Sequence, residues 1–140
     1  MKKNVMLSIC GRQNYEDQEP DVIELVTEGT LEERNGIWYI SYEESDMTGL
    51  RGVTTTFQID GKKIVLDREG KLTSRMEFCE GIAHDSLYQI EFGALMITVC
   101  PTKVESNITE QGGTIDLVYN IEVEHSAAGV VEYHLDIKVK

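Results

Sequence analysis

The chain has 140 residues, of which 41% are hydrophobic and 27% charged, a composition typical of a single globular domain over residues 1–140. Its formal net charge is −12, and the 13 lysines and arginines are scattered along the sequence. A field of that sign repels phosphate backbones and anionic lipids, so we expect neither nucleic acid nor a membrane as a partner.

Alternation of apolar and polar residues recurs along the whole chain, and helical periodicity is nearly absent. This pattern predicts an all-β protein. The strands are predicted near residues 4–10, 21–32, 36–44, 51–60, 62–68, 73–79, 86–92, 95–100, 113–124 and 130–139. Most connections between them are short, so neighbouring strands are expected to form antiparallel hairpins.

The apolar phase of each strand predicts one buried face. The last two strands show this most clearly, because apolar residues alternate from Ile115 to Val123 and from Val131 to Val139. One apolar and one polar face along a meander indicates a barrel or a sandwich. We favour a single closed antiparallel β-barrel of about 8–10 strands, since pairing of the first and last strands leaves no open edge.

Hairpin turns are expected at Asp60-Gly61 and at Gly93-Ala94, where glycine allows a tight reversal of the backbone. The registers that follow place the apolar residues of the flanking strands on a common face. The expected pairs are Phe57 with Ile64, Val53 with Arg68, Tyr88 with Val99 and, across the preceding hairpin, Glu44 with Arg51.

Three charged residues, Glu44, Arg51 and Arg68, share the inward phase of their strands at one end of the expected barrel. Small closed barrels enclose a space that side chains fill or that holds one small ligand. Two arginines and one glutamate would leave excess positive charge there. The cluster is interpreted either as a structural ion pair that plugs the opening or as a set of ligand contacts.

Four tyrosines also fall on inward faces, at Tyr42, Tyr88, Tyr119 and Tyr133. Buried tyrosine hydroxyls usually find a hydrogen-bond partner. These four residues therefore either line a pocket or belong to a filled core with locally bonded hydroxyls.

A series of short elements resembles the YwiB-like family of small bacterial proteins, which have a domain of unknown function. The elements are Trp38-Tyr39-Ile40-Ser41-Tyr42-Glu43-Glu44, Gly52-Val53-Thr54-Thr55-Thr56, Arg68, Gly70, Met76, Phe78, Gly81, Tyr88, Gly93 and Leu117-Val118-Tyr119. The resemblance covers almost the whole chain. It implies a calycin-type, lipocalin-like β-barrel and no established activity, so no functional residue is carried over from the family.

The sequence contains no catalytic constellation, and we expect neither an enzyme nor a cofactor or metal. His84, His125 and His134 lack metal-ligand spacing, and His134 is expected as a solvated surface imidazole. Residues 106–113 are expected to form a loop. We do not expect this loop to bind phosphate, because no helix follows it to offer its N-terminus to the anion.

The three cysteines, Cys10, Cys79 and Cys100, are odd in number and lack a Cys-x-x-Cys motif, which indicates free thiols in a reducing compartment. The N-terminal segment lacks the apolar core of a signal peptide, and no apolar run is long enough to cross a bilayer as a helix. We therefore expect a cytoplasmic protein.

Two classes of function remain. The first is a non-enzymatic barrel that binds a small amphipathic or acidic molecule through Tyr42, Glu44, Arg51, Arg68, Tyr88, Tyr119 and Tyr133. The alternative is a filled barrel that acts as an interaction or scaffold protein, through its acidic surface or as a homodimer. The interior volume separates the two, because a pocket of roughly 300–1,000 Å³ is typical of small-molecule sites.

Overall fold

A computed structural model of the chain describes residues 2–14, 19–45, 51–90 and 93–140. The strands in these ranges are β1 (Lys2–Asn14), β2 (Asp21–Arg34), β3 (Ile37–Glu43), β4 (Val53–Asp60), β5 (Lys63–Gly70), β6 (Leu72–Phe78), β7 (His84–Ile90), β8 (Gly93–Thr109), β9 (Gly112–Val123) and β10 (Ser126–Val139). They form a closed barrel in which consecutive strands pair antiparallel and β1 pairs with β10. The predicted all-β barrel is confirmed. Within the described ranges, no helix is long and apolar enough to cross a membrane.

One strand differs markedly from the prediction. β8 continues to Thr109, so the loop expected over residues 106–113 is wrong. Pro101 lacks the N–H group that a strand ladder needs, and β8 accommodates it at an irregularity between Pro101 and Lys103 before the pairing with β9 resumes. The glycines that suggested a loop serve close packing, because a Cβ at Gly113 would overlap the carbonyl oxygen of Asn107.

The expected hairpin registers are also wrong, although the faces are right. The β4–β5 turn has Gly61 at its first central position with a φ of 61°, as a type II′ turn requires. Thr55 therefore pairs with Arg68, and Val53 pairs with Gly70. This differs from the expected register by two residues, which leaves every side chain on its predicted face because the strand period is two.

The β7–β8 hairpin shows the same behaviour with a larger shift. Tyr88 pairs with Leu95, and Val99 pairs with His84. Gly93, which was expected in the turn, is the first residue of β8 and pairs with Ile90. Residues 91 and 92, expected at the end of the seventh strand, lie outside the described residues.

The barrel is filled at one end and hollow at the other. We call the end at which β1, β3, β5, β7 and β9 finish the mouth, and the opposite end the base. The side chains that fill the base are fully or almost fully buried: Val5, Leu7, Leu31, Ile40, Phe57, Ile64, Phe78, Ile115, Leu117, Leu135 and Ile137. Phe57 and Phe78 contact Tyr133 and Tyr119, with ring centroids 5.7 and 4.8 Å apart, and the hollow begins at these tyrosines.

Gly29 marks the closest approach of β2 to the neighbouring backbone. A Cβ at this position would lie 2.5 Å from the carbonyl oxygen of Ser41 and 2.8 Å from Cδ1 of Leu7. We expect Gly29→Ala to lower the free energy of unfolding by about 1–3 kcal/mol, as overpacking of a filled core does. Urea denaturation measures this change.

Gly11 provides the matched control for that substitution. A Cβ at Gly11 would have Cδ2 of Tyr133 as its nearest neighbour at 3.7 Å, which is an ordinary contact distance. Gly11→Ala should therefore leave the urea midpoint close to that of the wild type. Equal midpoints for Gly29→Ala and Gly11→Ala would contradict the packing argument.

Candidate functional site

The mouth half of the barrel contains a cavity of about 380 Å³ that is partly open to solvent. Much of its lining is apolar and comes from Ile9, Ile23, Leu25, Met76, Ile97, Ile121 and Val131. Its polar lining comes from Arg12, Gln13, Asp21, Tyr42, Glu44, Arg68, Tyr88, Tyr119 and Tyr133. The volume lies within the range of roughly 300–1,000 Å³ that is typical of small-molecule sites.

Six of the seven residues predicted as a site lie together in this lining: Tyr42, Glu44, Arg68, Tyr88, Tyr119 and Tyr133. Arg51 does not, because it is exposed in the turn before β4. The expected pairing of Arg51 with Glu44 is wrong, since the Glu44 N–H group donates to the carbonyl oxygen of Val53 at 2.8 Å. The lining thus contains Arg68 and Glu44 in the interior and Arg12 and Asp21 at the rim, so its formal charges balance and the predicted excess of positive charge is absent.

The wall opposite β9 and β10 carries a continuous polar row. Tyr42 pairs with Thr55, Thr55 with Arg68, and Arg68 with Ser74, across β3, β4, β5 and β6. Neighbouring strands lie about 4.8 Å apart, so these side chains follow one another at that spacing on the inner face. Glu44 lies two residues beyond Tyr42 towards the mouth, in the same phase. We call Tyr42, Glu44, Thr55, Arg68 and Ser74 the polar row.

Sequence reasoning missed the contributions of Thr55 and Ser74 to this row. The register error is the cause, because it set Arg68 opposite Val53 instead of Thr55. Placing Gly61 at the first central position of the turn would have brought Thr55 beside Arg68. No comparable turn signal identifies Arg12, Gln13 or Asp21, which lie at strand ends on the rim of the cavity.

Several buried polar atoms of the interior have no hydrogen-bond partner within the part of the chain that the structure describes: Glu44 Oε1, Thr55 Oγ1, Arg68 Nε, Ser74 Oγ and Ser86 Oγ. All but the last belong to the polar row. Glu44 is only 7% exposed, and Thr55 is completely buried. An unpartnered buried polar group costs about 1–3 kcal/mol, and folded proteins keep few of them. Such a concentration beside a cavity is typical of a wall that a water molecule or a ligand completes.

Burial controls the protonation of the cavity side chains. It raises the pKa of Tyr42 to about 12, with a further contribution from the Glu44 carboxylate, and it raises the pKa of Tyr119 to about 12. It also raises the pKa of Tyr133 well above 10, and the neighbouring Tyr42 hydroxyl adds to this shift. These phenols are therefore protonated at neutral pH and can act as hydrogen-bond donors.

Glu44 is the acidic member of the polar row. Burial raises its pKa, while the nearby Arg68 guanidinium and the neighbouring hydroxyl groups of Tyr42 and Thr55 act in the opposite direction. The carboxyl group thus accepts a proton more readily than an exposed glutamate does. Arg68 cannot change its protonation state in the same way, because a guanidinium keeps its proton in proteins.

Outside the cavity, His134 lies on the outer face of β10 between two carboxylates. Its Nδ1 is 2.6 Å from Asp116 Oδ1, and its Nε2 is 3.0 Å from Asp136 Oδ2. The hydrogen bond to Asp116, supported by the one to Asp136, raises the pKa of His134. The residue is partly exposed, as expected of a surface imidazole, but it is held by ionic contacts. No group of three metal-ligating side chains occurs among the described residues.

The cysteines are free, as predicted, and they are half-buried. Cys100 Sγ lies 3.8 Å from Glu122 Oε2. Burial, together with that carboxylate, raises the pKa of the Cys100 thiol. A reactive thiolate needs the opposite shift, so this environment does not activate Cys100 as a nucleophile.

The fold and the cavity define a small closed β-barrel protein with a partly polar interior. The family model described as "Domain of unknown function (DUF1934)" matches residues 7–137, and the chain belongs to this family. The "Uncharacterized beta-barrel protein YwiB" of Bacillus subtilis (strain 168) is 25% identical over 124 residues, covering 88% of this chain and 86% of that protein. The resemblance to YwiB-like proteins is thereby confirmed.

A solved structure agrees with that assignment. The crystal structure of the YwiB protein from Bacillus subtilis matches with a TM-score of 0.89 and 20% sequence identity, covering 99% of this chain and 93% of that one. At that identity the likeness shows a common fold. Neither the family description nor the names of these relatives state an activity or a ligand.

The raised pKa of Glu44 predicts a pH-dependent effect of Glu44→Gln on stability. The folded protein holds this proton more tightly than the unfolded chain, so its contribution to stability falls as the pH rises from about 4.3 through the folded pKa. Glu44→Gln remains neutral throughout. We expect it to become more stable relative to the wild type as the pH rises across that window, measured by urea denaturation at a series of pH values.

Glu43→Gln is the matched control for Glu44→Gln. Glu43 is the adjacent residue on β3, exposed on the outer face, where its carboxylate accepts a hydrogen bond from Thr54 Oγ1 at 2.9 Å. Its substitution removes the same charge without changing the cavity. A stability advantage of Glu44→Gln that shrinks with rising pH, or an equal pH trend in Glu43→Gln, would refute the assignment.

His134 predicts a pH dependence in a separate range. Because its pKa is raised on folding, its ionic contacts stabilise the fold fully below the unfolded value of about 6.5, and this contribution is lost as the pH rises through the folded pKa. Wild type should therefore exceed His134→Gln in stability by more at about pH 5.5 than at about pH 8.5. Urea denaturation of both proteins measures this effect. A difference in midpoint between wild type and His134→Gln that is the same at both pH values would disprove the prediction.

Proposed function

We propose that the protein is a non-enzymatic barrel that holds a small amphipathic molecule in the cavity at its mouth. The observation that carries this proposal is the set of unpartnered buried atoms on the polar row beside a cavity of about 380 Å³. A ligand that enters the cavity can supply the missing hydrogen bonds. The gain in binding free energy is largest for polar groups that are already desolvated, because the cost of desolvating them arises on folding and not on binding.

The distribution of the lining supports an amphipathic ligand. The polar row lies on β3 to β6, whereas most of the apolar lining, such as Leu25, Ile97 and Val131, comes from β2, which adjoins the row, and from β8 and β10, which face it. A polar head could contact the row while an apolar body packs against the facing side. Burial of each methylene group on that side is favourable by about 0.8 kcal/mol.

The alternative, a filled barrel that acts as a scaffold through its acidic surface or as a homodimer, requires a packed interior. The cavity and its unpartnered atoms favour the binding barrel over this alternative. Free half-buried cysteines are compatible with a reducing compartment, and we include residence in the cytoplasm in the proposal.

Native mass spectrometry of the protein purified from its own host tests the proposal. We expect a population whose mass exceeds that of the chain by one small molecule, and the same spectrum reports the oligomeric state. Purified wild-type protein that carries no small molecule, and that takes up none when amphiphiles are added, would contradict the proposal.

Gly11→Leu tests whether such a molecule occupies this cavity. Gly11 lines the cavity, and a Cβ at this position meets no atom closer than 3.7 Å, so a leucine side chain can extend into the hollow. We expect Gly11→Leu to lose the bound molecule without a loss of stability, while Gly11→Ala retains it. Full retention by Gly11→Leu would place the ligand elsewhere.

A further inference from the structure

Glu44 and Arg68 bring opposite charges into one cavity but do not satisfy each other. Glu44 Oε1 and Arg68 Nε are both buried, both belong to side chains in the cavity lining, and neither has a hydrogen-bond partner in the described ranges. A closed ion pair would use these atoms for mutual contact. The pair as it stands leaves an acceptor and a donor available to a third group.

The charge on that third group can be inferred from which side-chain charge, that of Glu44 or that of Arg68, stays unpaired after it binds. A cationic head would pair with Glu44 and leave the half-buried Arg68 guanidinium, which cannot lose its proton, as an unpaired charge. An anionic head would pair with Arg68 and leave the Glu44 carboxylate, which can be neutralised by a proton. Of the two charged heads, only the anionic one therefore allows a bound state with no unpaired charge in the cavity.

Resting on the proposed function, we propose that the cavity selects an amphiphile with a single monoanionic head of the carboxylate type. This head pairs with the Arg68 guanidinium, and Glu44 takes up one proton from solvent as the ligand binds. Arg68 is thus the specificity-determining residue for the head, and Glu44 couples binding to pH.

Several other charged or titratable groups line or adjoin the cavity that contains Glu44. They are Arg12 on β1, Asp21 on β2, Tyr42 on β3, Arg51 before β4, Arg68 on β5, Tyr88 on β7, Tyr119 on β9 and Tyr133 on β10. Burial keeps the phenols of Tyr42, Tyr119 and Tyr133 protonated at neutral pH. Asp21 is exposed at the rim, where solvent screens its charge.

Burial also prepares Glu44 for the proton. It raises the pKa of this carboxyl group in the empty cavity, against the influence of Arg68. An anion bound to Arg68 would cancel that influence and add a like charge nearby, so both changes act in the direction of protonation.

Isothermal titration calorimetry with three probes of the same chain length tests the proposal. The probes are decanoate, 1-decanol and decylammonium, titrated into wild-type protein in two buffers of different ionisation enthalpy. We expect decanoate to bind most tightly, with an uptake that approaches one proton per ligand above the pKa of Glu44. Its affinity should then fall about tenfold for each unit of rising pH, as linkage requires for one proton.

Two pairs of variants assign the effect to residues. Glu44→Gln should bind decanoate with no proton uptake and with an affinity that does not change with pH, whereas the exposed neighbour variant Glu43→Gln should behave as the wild type. Arg68→Gln should lose the preference for decanoate over 1-decanol. Arg75→Gln should keep it, because Arg75 pairs with Asp67 on the outer face at 3.0 Å.

If Arg68→Gln does not fold, Arg68→Lys replaces it, and the preference for decanoate should survive because the positive charge is kept. Tighter binding of decylammonium, equal binding of all three probes, or decanoate binding without proton uptake in wild type would overturn this inference and leave the proposed function standing. Absence of binding by all three probes would overturn both.

Discussion

The pairing of β1 with β10 closes the sheet, and the interior depends on this closure. The ladder runs without interruption from Val5 opposite Val139 to Asn14 opposite Val130. Once the sheet is closed, every strand has one face turned inward, and period-two alternation decides which side chains share the enclosed space. An open sheet of the same strands would expose the apolar faces of both terminal strands, and it would leave two unpaired edges.

Closure encloses a space, and the side chains determine where that space is filled. At the base, Phe57 and Phe78 pack among aliphatic residues and leave no exposed surface above 1%. Towards the mouth, the inward positions are occupied first by tyrosines and then by the polar row. The packed base supplies the apolar burial that stabilises the fold, so the mouth can retain polar groups without partners. Departures of this kind from ideal packing concentrate at functional sites.

The sequence predicted the faces correctly and the neighbours incorrectly, and both outcomes have the same physical origin. A shift of two residues in register leaves the parity of a strand unchanged, so six of the seven predicted lining residues lie in the cavity. The identity of cross-strand partners depends on which residue occupies each turn position. For this reason Arg51 lies outside the site, and the cross-strand pairing of Thr55 with Arg68 was not predicted. The volume of the cavity could not be predicted, because alternation fixes the direction of side chains and not how completely they fill a space.

A plug and a binding site make different demands on the same two charges. A plug gains stability only if the ion pair repays the desolvation of both charges, and buried pairs can often be replaced by apolar residues at no cost. That repayment requires close mutual hydrogen bonding, which Glu44 Oε1 and Arg68 Nε do not make. On the strands that flank Arg68, the hydroxyl groups of Thr55 and Ser74 also lack hydrogen-bond partners among the described residues. A wall with this many unused donors and acceptors is poorly suited to stabilising an empty barrel. It is better suited to a polar head that enters from the mouth, and this difference supports the binding barrel over the plug.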